Sequence, residues 1–460
     1  MLRKIRIAAA AFFFVLTTLL FLDFTGTLHA WFGWMAKIQF LPALLALNVG
    51  VVAFLVILTL LFGRVYCSVI CPLGVMQDIV SWASGKRRKH RNRFAYSPAL
   101  TWLRRGMLVV FVAAMLAGVG SLLAPYSAYG RIASNLLAPV YAWGNNLLAY
   151  IAGRMDSYAF YSVDVWMKSL STLLVAVVTF AVLLVLAWRS GRTYCNTICP
   201  VGTVLGFLAR YSLFKPRFDT SKCNGCKLCA RNCKASCIDP AAHKIDYSRC
   251  VACMDCLENC RQGAITYTLR RRKPDPAPAP QRPAADAAKT PSDASRRRFL
   301  GLAGIVAYSA LRAQEKKVDG GLAVIVDKKI PNRATPVVPP GAQSLRHFNA
   351  HCTGCQLCVS VCPNQVLRPS GKLMTLMQPE MSFERGYCRP ECTKCAEVCP
   401  TGAIRLTDLA GKSSIQIGHA VWIAENCEVN TDGVSCNNCA RHCPAGAIKM
   451  VRRDPDDPKS

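Results

Sequence analysis

Histidine is scarce in this chain, with seven residues in 460. None follows a Cys-x-x-Cys pair, which argues against covalent c-type haem. No two of them lie in apolar stretches where they could bracket a b-type haem, so no haem is expected. Acidic residues are also few, 26 against 56 Lys and Arg, for a net charge of +30. Such an imbalance suits nucleic acid or an anionic membrane. Neither an aromatic platform nor a recognisable nucleic-acid module accompanies it, and no nucleic-acid partner is expected. The chain lacks the disulfide framework of a short secreted protein and any sensor output domain. Its cysteine groups bring no nucleophile, acid–base pair or open metal position with them.

The abundance is in cysteine and in apolar residues. There are 25 cysteines in tight groups, and 52% of the chain is hydrophobic. Two features account for the basicity without nucleic acid. Membrane proteins gather Lys and Arg in cytoplasmic loops, and an oxidised [4Fe–4S] cluster on four thiolates carries about two negative charges. Four apolar stretches, 5–22, 41–62, 107–123 and 170–188, are long enough to cross about 30 Å of hydrocarbon. Arg3, Lys4 and Arg6 stand at the start of the first, and Lys86, Arg87, Arg88, Lys89, Arg91, Arg93, Arg104 and Arg105 follow the second. The connections 24–40 and 124–167 are poor in Lys and Arg, so the positive-inside rule puts both termini of the four-helix unit in the cytoplasm. Trp31, Trp34 and Trp166 are placed to anchor at the interface. The apolar pattern at Leu136, Leu137, Val140, Tyr141, Leu147, Leu148 and Ile151 predicts helices lying in it; a docking surface is the other reading of 124–167.

Residues 223–233 read CNGCKLCARNC and residues 250–260 read CVACMDCLENC. Both are Cys-x2-Cys-x2-Cys-x3-Cys, the spacing of bacterial two-cluster ferredoxins. Three cysteines on a tight loop each meet one corner of an iron cube, and the fourth, on the following helix, reaches the neighbouring cluster. The expected ligand sets are Cys223, Cys226, Cys229 with Cys260, and Cys250, Cys253, Cys256 with Cys233. The usual Pro after the fourth cysteine is replaced by Lys234 and Arg261, and Cys237 is spare and could replace Cys233. Zinc ribbons also pair Cys-x2-Cys, but four cysteines per group favour clusters.

A Pro/Ala linker with no capacity to form a core occupies 271–295. Beyond it, twelve cysteines fall into three groups: Cys352, Cys355, Cys358 and Cys362; Cys388, Cys392, Cys395 and Cys399; Cys427, Cys436, Cys439 and Cys443. They make three more [4Fe–4S] sites, about five in all. Two groups are expected to exchange their fourth ligand and one to be self-contained, with no sign of which. Val359, Val361, Val366, Ile404 and Ile448 would lower the local dielectric and tune the potential. Between linker and clusters, SRRRFLG with the twin arginine Arg296–Arg297 and an apolar run at 299–311 reads as an export signal for a folded domain. A basic helix start is the plainer reading.

One motif occurs twice. Residues 63–74 read GRVYCSVICPLG and residues 191–202 read GRTYCNTICPVG, identical at eight of twelve positions. Each follows an apolar stretch, and spans of like orientation can lie side by side. Cys67, Cys71, Cys195 and Cys199 could then converge at the cytoplasmic surface, as another metal site or as redox-active disulfides. Packing preserved after a duplication is the alternative. The Gly-Arg before the cysteines favours thiolate.

With these paired Cys-x3-Cys-Pro segments, four spans and a two-cluster ferredoxin, the chain resembles the NapH/MauN membrane polyferredoxins and the membrane end of NosR. Its C-terminal part, with SRRRFL and ferredoxin groups, is similar to the NapG/MauM twin-arginine ferredoxins, although it has twelve cluster cysteines where that family usually has sixteen. The expected organisation is an α-helical membrane domain of four transmembrane helices (1–212), a cytoplasmic two-cluster module (213–270), the linker (271–295), a twin-arginine-like segment (296–313) and a C-terminal polyferredoxin domain (314–460), both modules being α+β and ferredoxin-like. The resemblance implies a bacterial inner-membrane protein that moves electrons from quinol toward a periplasmic reductase or its donor, with the C-terminal domain periplasmic. Quinol dehydrogenase activity of its own is left open. The rival function is a redox assembly factor that matures a periplasmic metalloenzyme. Asp78 and Tyr66 are the polar residues placed nearest a quinone. One difficulty stands: both repeated motifs are expected at the cytoplasmic surface, and no redox group is visible to bridge about 30 Å of lipid to an exported domain.

Overall fold

A long, mostly apolar run behind a basic first turn makes Leu2–Leu22 one 21-residue helix, and Leu170–Ser190 is a second of the same length. Both are long and apolar enough to cross a membrane, reaching about 30 Å at 1.5 Å per residue. The computed structural model describes residues 1–87, 94–117, 122–269, 335–384, 386–418, 420–424, 427–443 and 446–451. They form two compact units, Met1–Ile415 and Gln416–Ser460. The linker and the Arg296–Arg297 segment lie outside the described residues.

The other two expected spans take different forms. Stretch 41–62 is two helices, Phe40–Leu45 and Val49–Phe62. They part at Leu47, in the left-handed region with φ 52°, and Asn48 caps the second by accepting from Val51 N at 3.2 Å. The third helix is Thr101–Leu116 rather than 107–123. Its first turn carries Arg104, whose guanidinium donates to Ser248 Oγ at 3.1 Å and to Ser248 O at 3.3 Å, so polar contacts extend the helix past the apolar run that marks it in the sequence.

Each repeated motif folds as a short helix, a break and a longer helix: Val65–Val69 then Pro72–Arg87, and Thr193–Thr197 then Pro200–Ala209. Gly63 and Gly191, at φ 75° and 67°, turn the chain between each apolar helix and its motif. The first cysteine module is closed by β1 (Phe214–Phe218) and β4 (Ile265–Leu269), antiparallel with Phe214 opposite Leu269. Inside it β2 (Ile238–Asp239) pairs with β3 (Lys244–Ile245). Residues 335–415 form a second small module, in which β5 (Leu367–Pro369) pairs with β6 (Pro379–Met381).

The two modules sit at opposite ends of the long helices. Near the start of Leu2–Leu22, Arg3 Nε bonds Asp255 Oδ1 of the first module at 2.9 Å. Just past the end of Leu170–Ser190, Arg192 N donates to Lys234 O of the same module at 2.9 Å. At the other ends, Lys394 Nζ of the second module donates to Thr25 O at 3.1 Å, and Lys168 Nζ donates to Val359 O at 3.2 Å. Segment 124–167 receives the second module. Helix Pro125–Ile132 is buried throughout, Asn135 Nδ2 donates to Gln356 Oε1 at 2.9 Å, and the Arg368 guanidinium stacks 4.4 Å from the Trp166 ring centre. Trp166 is thus in contact with the second module. Helix Ala138–Arg154 has no buried residue and exposes Val140, Leu147 and Ile151.

Candidate metal centres

The cysteines of the first module stand around two cavities. Cys223, Cys226, Cys229 and Cys260 line one. Cys250, Cys253, Cys256, Cys233 and Cys237 line the other, with Cys233 Sγ and Cys237 Sγ 3.5 Å apart, so the spare cysteine and the expected one share a corner. In the second module one cavity holds Cys352, Cys355, Cys358 and Cys399, and the other Cys388, Cys392, Cys395 and Cys362. The last cysteine of each of the first two C-terminal groups thus lines the other group's cavity. The third group lies in the separate unit Gln416–Ser460, with Cys427 leading helix Glu428–Asp432, and Cys436, Cys439 and Cys443 around helix Asn438–Arg441.

These surroundings fit iron–sulfur clusters. Lys227, Met254 and Gln356, each directly after the second cysteine of its group, share a left-handed φ of 59°, 62° and 66° and open the short helix that follows. An alternation of this kind gathers backbone N–H groups into an anion-binding concavity. The group beginning at Cys388 has one more residue before its second cysteine, and Thr393 there keeps an ordinary φ of −110°. Val359, Val361, Val366 and Ile404 are buried, whereas Ile448 is 42% exposed. The thiols stand around space rather than closing on a point: among the described residues no three His, Cys, Asp or Glu side chains converge as one ion would need. Burial pushes the thiols of Cys229 and Cys355 up to about 11, so binding a metal must displace their protons. A cluster held in such a site supplies one-electron transfer.

The repeated motif is not at a surface. Cys67, Cys71, Cys195 and Cys199 are each about 5% exposed and lie in one another's electrostatic reach. The two copies clasp each other. Arg64 Nη2 donates to Cys195 O at 3.1 Å, and Arg192 Nη1 donates to Cys67 O at 2.7 Å. Two glycines leave room for this. A Cβ on Gly74 would come within 2.3 Å of Cys67 O and 2.5 Å of Arg192 Nη1, and one on Gly202 within 2.2 Å of Cys195 O and 2.7 Å of Arg64 Nη2. The tyrosines point the other way. Tyr66 Oη donates to Gln39 Oε1 and accepts from Phe40 N, and Tyr194 Oη donates to Leu123 O at 3.5 Å. Both thus reach the connections on the side of the second module. The four cysteines are thus enclosed rather than exposed at a surface: after the glycine turns both motifs run inward, under the first module.

Two family models match parts of the chain. A 4Fe-4S binding domain matches residues 44–90 and 172–221, the two segments that carry the repeated motif. A 4Fe-4S dicluster domain matches residues 351–403. An uncharacterized protein of Methanocaldococcus jannaschii is 25% identical over 214 residues, 46% of this chain and 68% of its own length. The ferredoxin-type protein NapH of Escherichia coli is 29% identical over 195 residues, 42% of this chain and 55% of its own. The methylamine utilization ferredoxin-type protein MauM of Methylophilus methylotrophus is 33% identical over 123 residues, 24% of this chain and 50% of its own. The chain therefore spans only about half the length of these last two relatives. No solved structure matches it. NapH and MauM are ferredoxin-type proteins by name, and the matching domains are 4Fe-4S domains.

Asp78 and Tyr66 are not open to a quinone. Tyr66 is buried and its hydroxyl engaged. Asp78 accepts from Arg192 Nε at 2.8 Å and Arg6 Nη1 at 2.9 Å, with Lys234 Nζ at 3.5 Å. Burial alone would raise its carboxyl, but Arg192, Lys234 and Arg6 hold it well below the usual carboxylate range. Lys234 also meets Asp255 Oδ2 at 2.9 Å. The residue that replaces the expected proline is thus a bridge from module to helices, a role its sequence context did not signal.

Proposed function

We propose that the chain is a membrane-bound iron–sulfur electron-transfer protein, carrying electrons from the quinol pool toward a periplasmic reductase or its donor. One observation carries this reading: both helices long enough to cross a membrane have a cysteine module at each end. With these helices spanning, and the shorter Val49–Phe62 and Thr101–Leu116 beside them, the modules lie on opposite faces. Arg3, Lys4, Arg6 and Arg189 stand at the end of the first module, which puts that face in the cytoplasm. The exposed apolar helix Ala138–Arg154 then lies in the far interface, and an export role for Arg296–Arg297 agrees with this sidedness. Protease treatment of intact spheroplasts and of inverted vesicles tests it. Digestion of the C-terminal module from outside and of the first module from inside supports the proposal. Digestion of both modules only in inverted vesicles would contradict it.

A further inference from the structure

Asp23 and His29 form a buried carboxylate–imidazole pair just past the end of helix Leu2–Leu22. His29 Nδ1 stands 3.0 Å from Asp23 Oδ2, and the two side chains are 7% and 2% exposed. The carboxylate has other donors. Thr25 N, Thr25 Oγ1 and Gly26 N reach one oxygen at 3.0, 2.7 and 2.9 Å, and Leu28 N and His29 N reach the other at 2.9 and 3.3 Å. These bonds hold the turn into helix Thr27–Phe32 and satisfy its first N–H groups, a role that needs no imidazole. Facing a carboxylate that only accepts, Nδ1 carries a proton, which leaves Nε2 of the neutral ring as an acceptor. That nitrogen is buried and has no partner among the described residues, an arrangement that is costly unless a ligand completes it. An imidazole fixed in one tautomer by a carboxylate is suited to take a proton at its other nitrogen.

The pair stands beside a cysteine cavity. Thr25 O accepts from Lys394 Nζ at 3.1 Å, and a Cβ on Gly26 would lie 3.2 Å from the same nitrogen. Lys394 lines the cavity of Cys362, Cys388, Cys392 and Cys395. The segment is otherwise open: helix Thr27–Phe32 has no buried residue, and Trp31 and Trp34 are exposed, as aromatic residues at a membrane interface are. We propose that this segment is a hydroquinone site, with His29 the proton acceptor and Asp23 positioning its ring. The inference rests on the quinol reading of the proposed function and gives it a place. A membrane hydroquinone comes from the lipid beside Trp31 and Trp34, displaces part of the short helix that covers Nε2, and hydrogen-bonds its O–H there. Its oxidation to quinone releases two electrons and two protons. The electrons reduce two oxidised iron–sulfur centres of the second module, one each, by way of the centre beside Lys394. One proton goes to Nε2, where the Asp23 carboxylate answers the charge of the imidazolium, and the other goes to water at the interface.

The test reads the step in reverse, so that it does not depend on the cluster potentials. The full chain in detergent is reduced with dithionite, freed of excess reductant and mixed with decylubiquinone, and reoxidation of the clusters is followed by stopped-flow absorbance. His29→Gln keeps a polar side chain but cannot hand on the proton. It is expected to slow reoxidation by decylubiquinone about 100-fold and to leave reoxidation by ferricyanide, which takes no proton, at the wild-type rate. If His29→Gln fails to fold, photolabelling of the wild-type chain with an azido-quinone decides, with label expected in the peptide that contains His29. Equal decylubiquinone rates in variant and wild type, or label confined to other segments, overturns the inference while the proposed function stands. Wild-type protein that ferricyanide reoxidises and decylubiquinone does not would instead overturn the quinol reading itself.

Discussion

Arg64 of the first motif copy donates to the carbonyl of Cys195 in the second at 3.1 Å, and the reciprocal bond runs from Arg192 to Cys67 at 2.7 Å. This exchange explains why the chain repeats Gly-Arg-x-Tyr-Cys-x3-Cys-Pro-x-Gly. Each copy is incomplete alone, because its arginine serves the other's backbone and its second glycine makes room for the other's arginine.

Gly202→Ala tests that clasp. Its Cβ would sit 2.2 Å from Cys195 O and 2.7 Å from Arg64 Nη2, so something must move. Overpacking of this kind costs about 1–3 kcal/mol. A lower unfolding temperature is expected, read by thermal denaturation. Gly153→Ala, where a Cβ meets nothing within 4 Å, is the control expected to leave it unchanged.

The exchange of ligands in the second module gives a sharper test. Cys399→Ser is expected to disturb the centre built on Cys352, Cys355 and Cys358, and Cys362→Ser the one built on Cys388, Cys392 and Cys395. Paired with Cys355→Ser and Cys392→Ser, each variant should change the same resonance as its cavity partner. Pairing by sequence group instead would show that the last cysteines are not exchanged.

Asp78→Asn probes how the first module is held. Asp78 answers Arg192, Arg6 and Lys234 at once, and removing the anion from a buried ion network costs about 3–5 kcal/mol. Because the folded carboxyl is held below its ordinary value of about 4, its contribution is full above that pH. It is lost as the pH falls toward the folded value. The stability gap between wild type and Asp78→Asn, measured by denaturant unfolding, should be constant at neutral pH and shrink below about pH 4.

The cysteine groups were legible because cluster spacing is local: three ligands within seven residues show in any reading of CNGCKLC. Long apolar helices were legible for the same reason. What was hidden depended on distant contacts. The break at Leu47 lies at no Pro or Gly: an exposed leucine turns left-handed and Asn48 caps the helix that follows. Lys234 looked like a departure from pattern until Asp78 and Asp255 came to meet it. The inward course of the repeated motif is a matter of where Gly63 and Gly191 send the chain, and the pattern Cys-x3-Cys-Pro reads the same at a surface as in a core. The carboxylate-free burial of Arg64 could not be foreseen at all, although the invariant Gly-Arg in both copies was its trace.

The most direct measurement is electron transfer across a sealed bilayer. Full-length protein in liposomes, with ferricyanide trapped inside and dithionite added outside, should reduce the trapped oxidant. The same vesicles carrying Cys195→Ala/Cys199→Ala should not, while their module clusters still reduce. Equal rates in the two, or no transfer in wild-type vesicles whose clusters are intact, would contradict an electron path through the four buried cysteines.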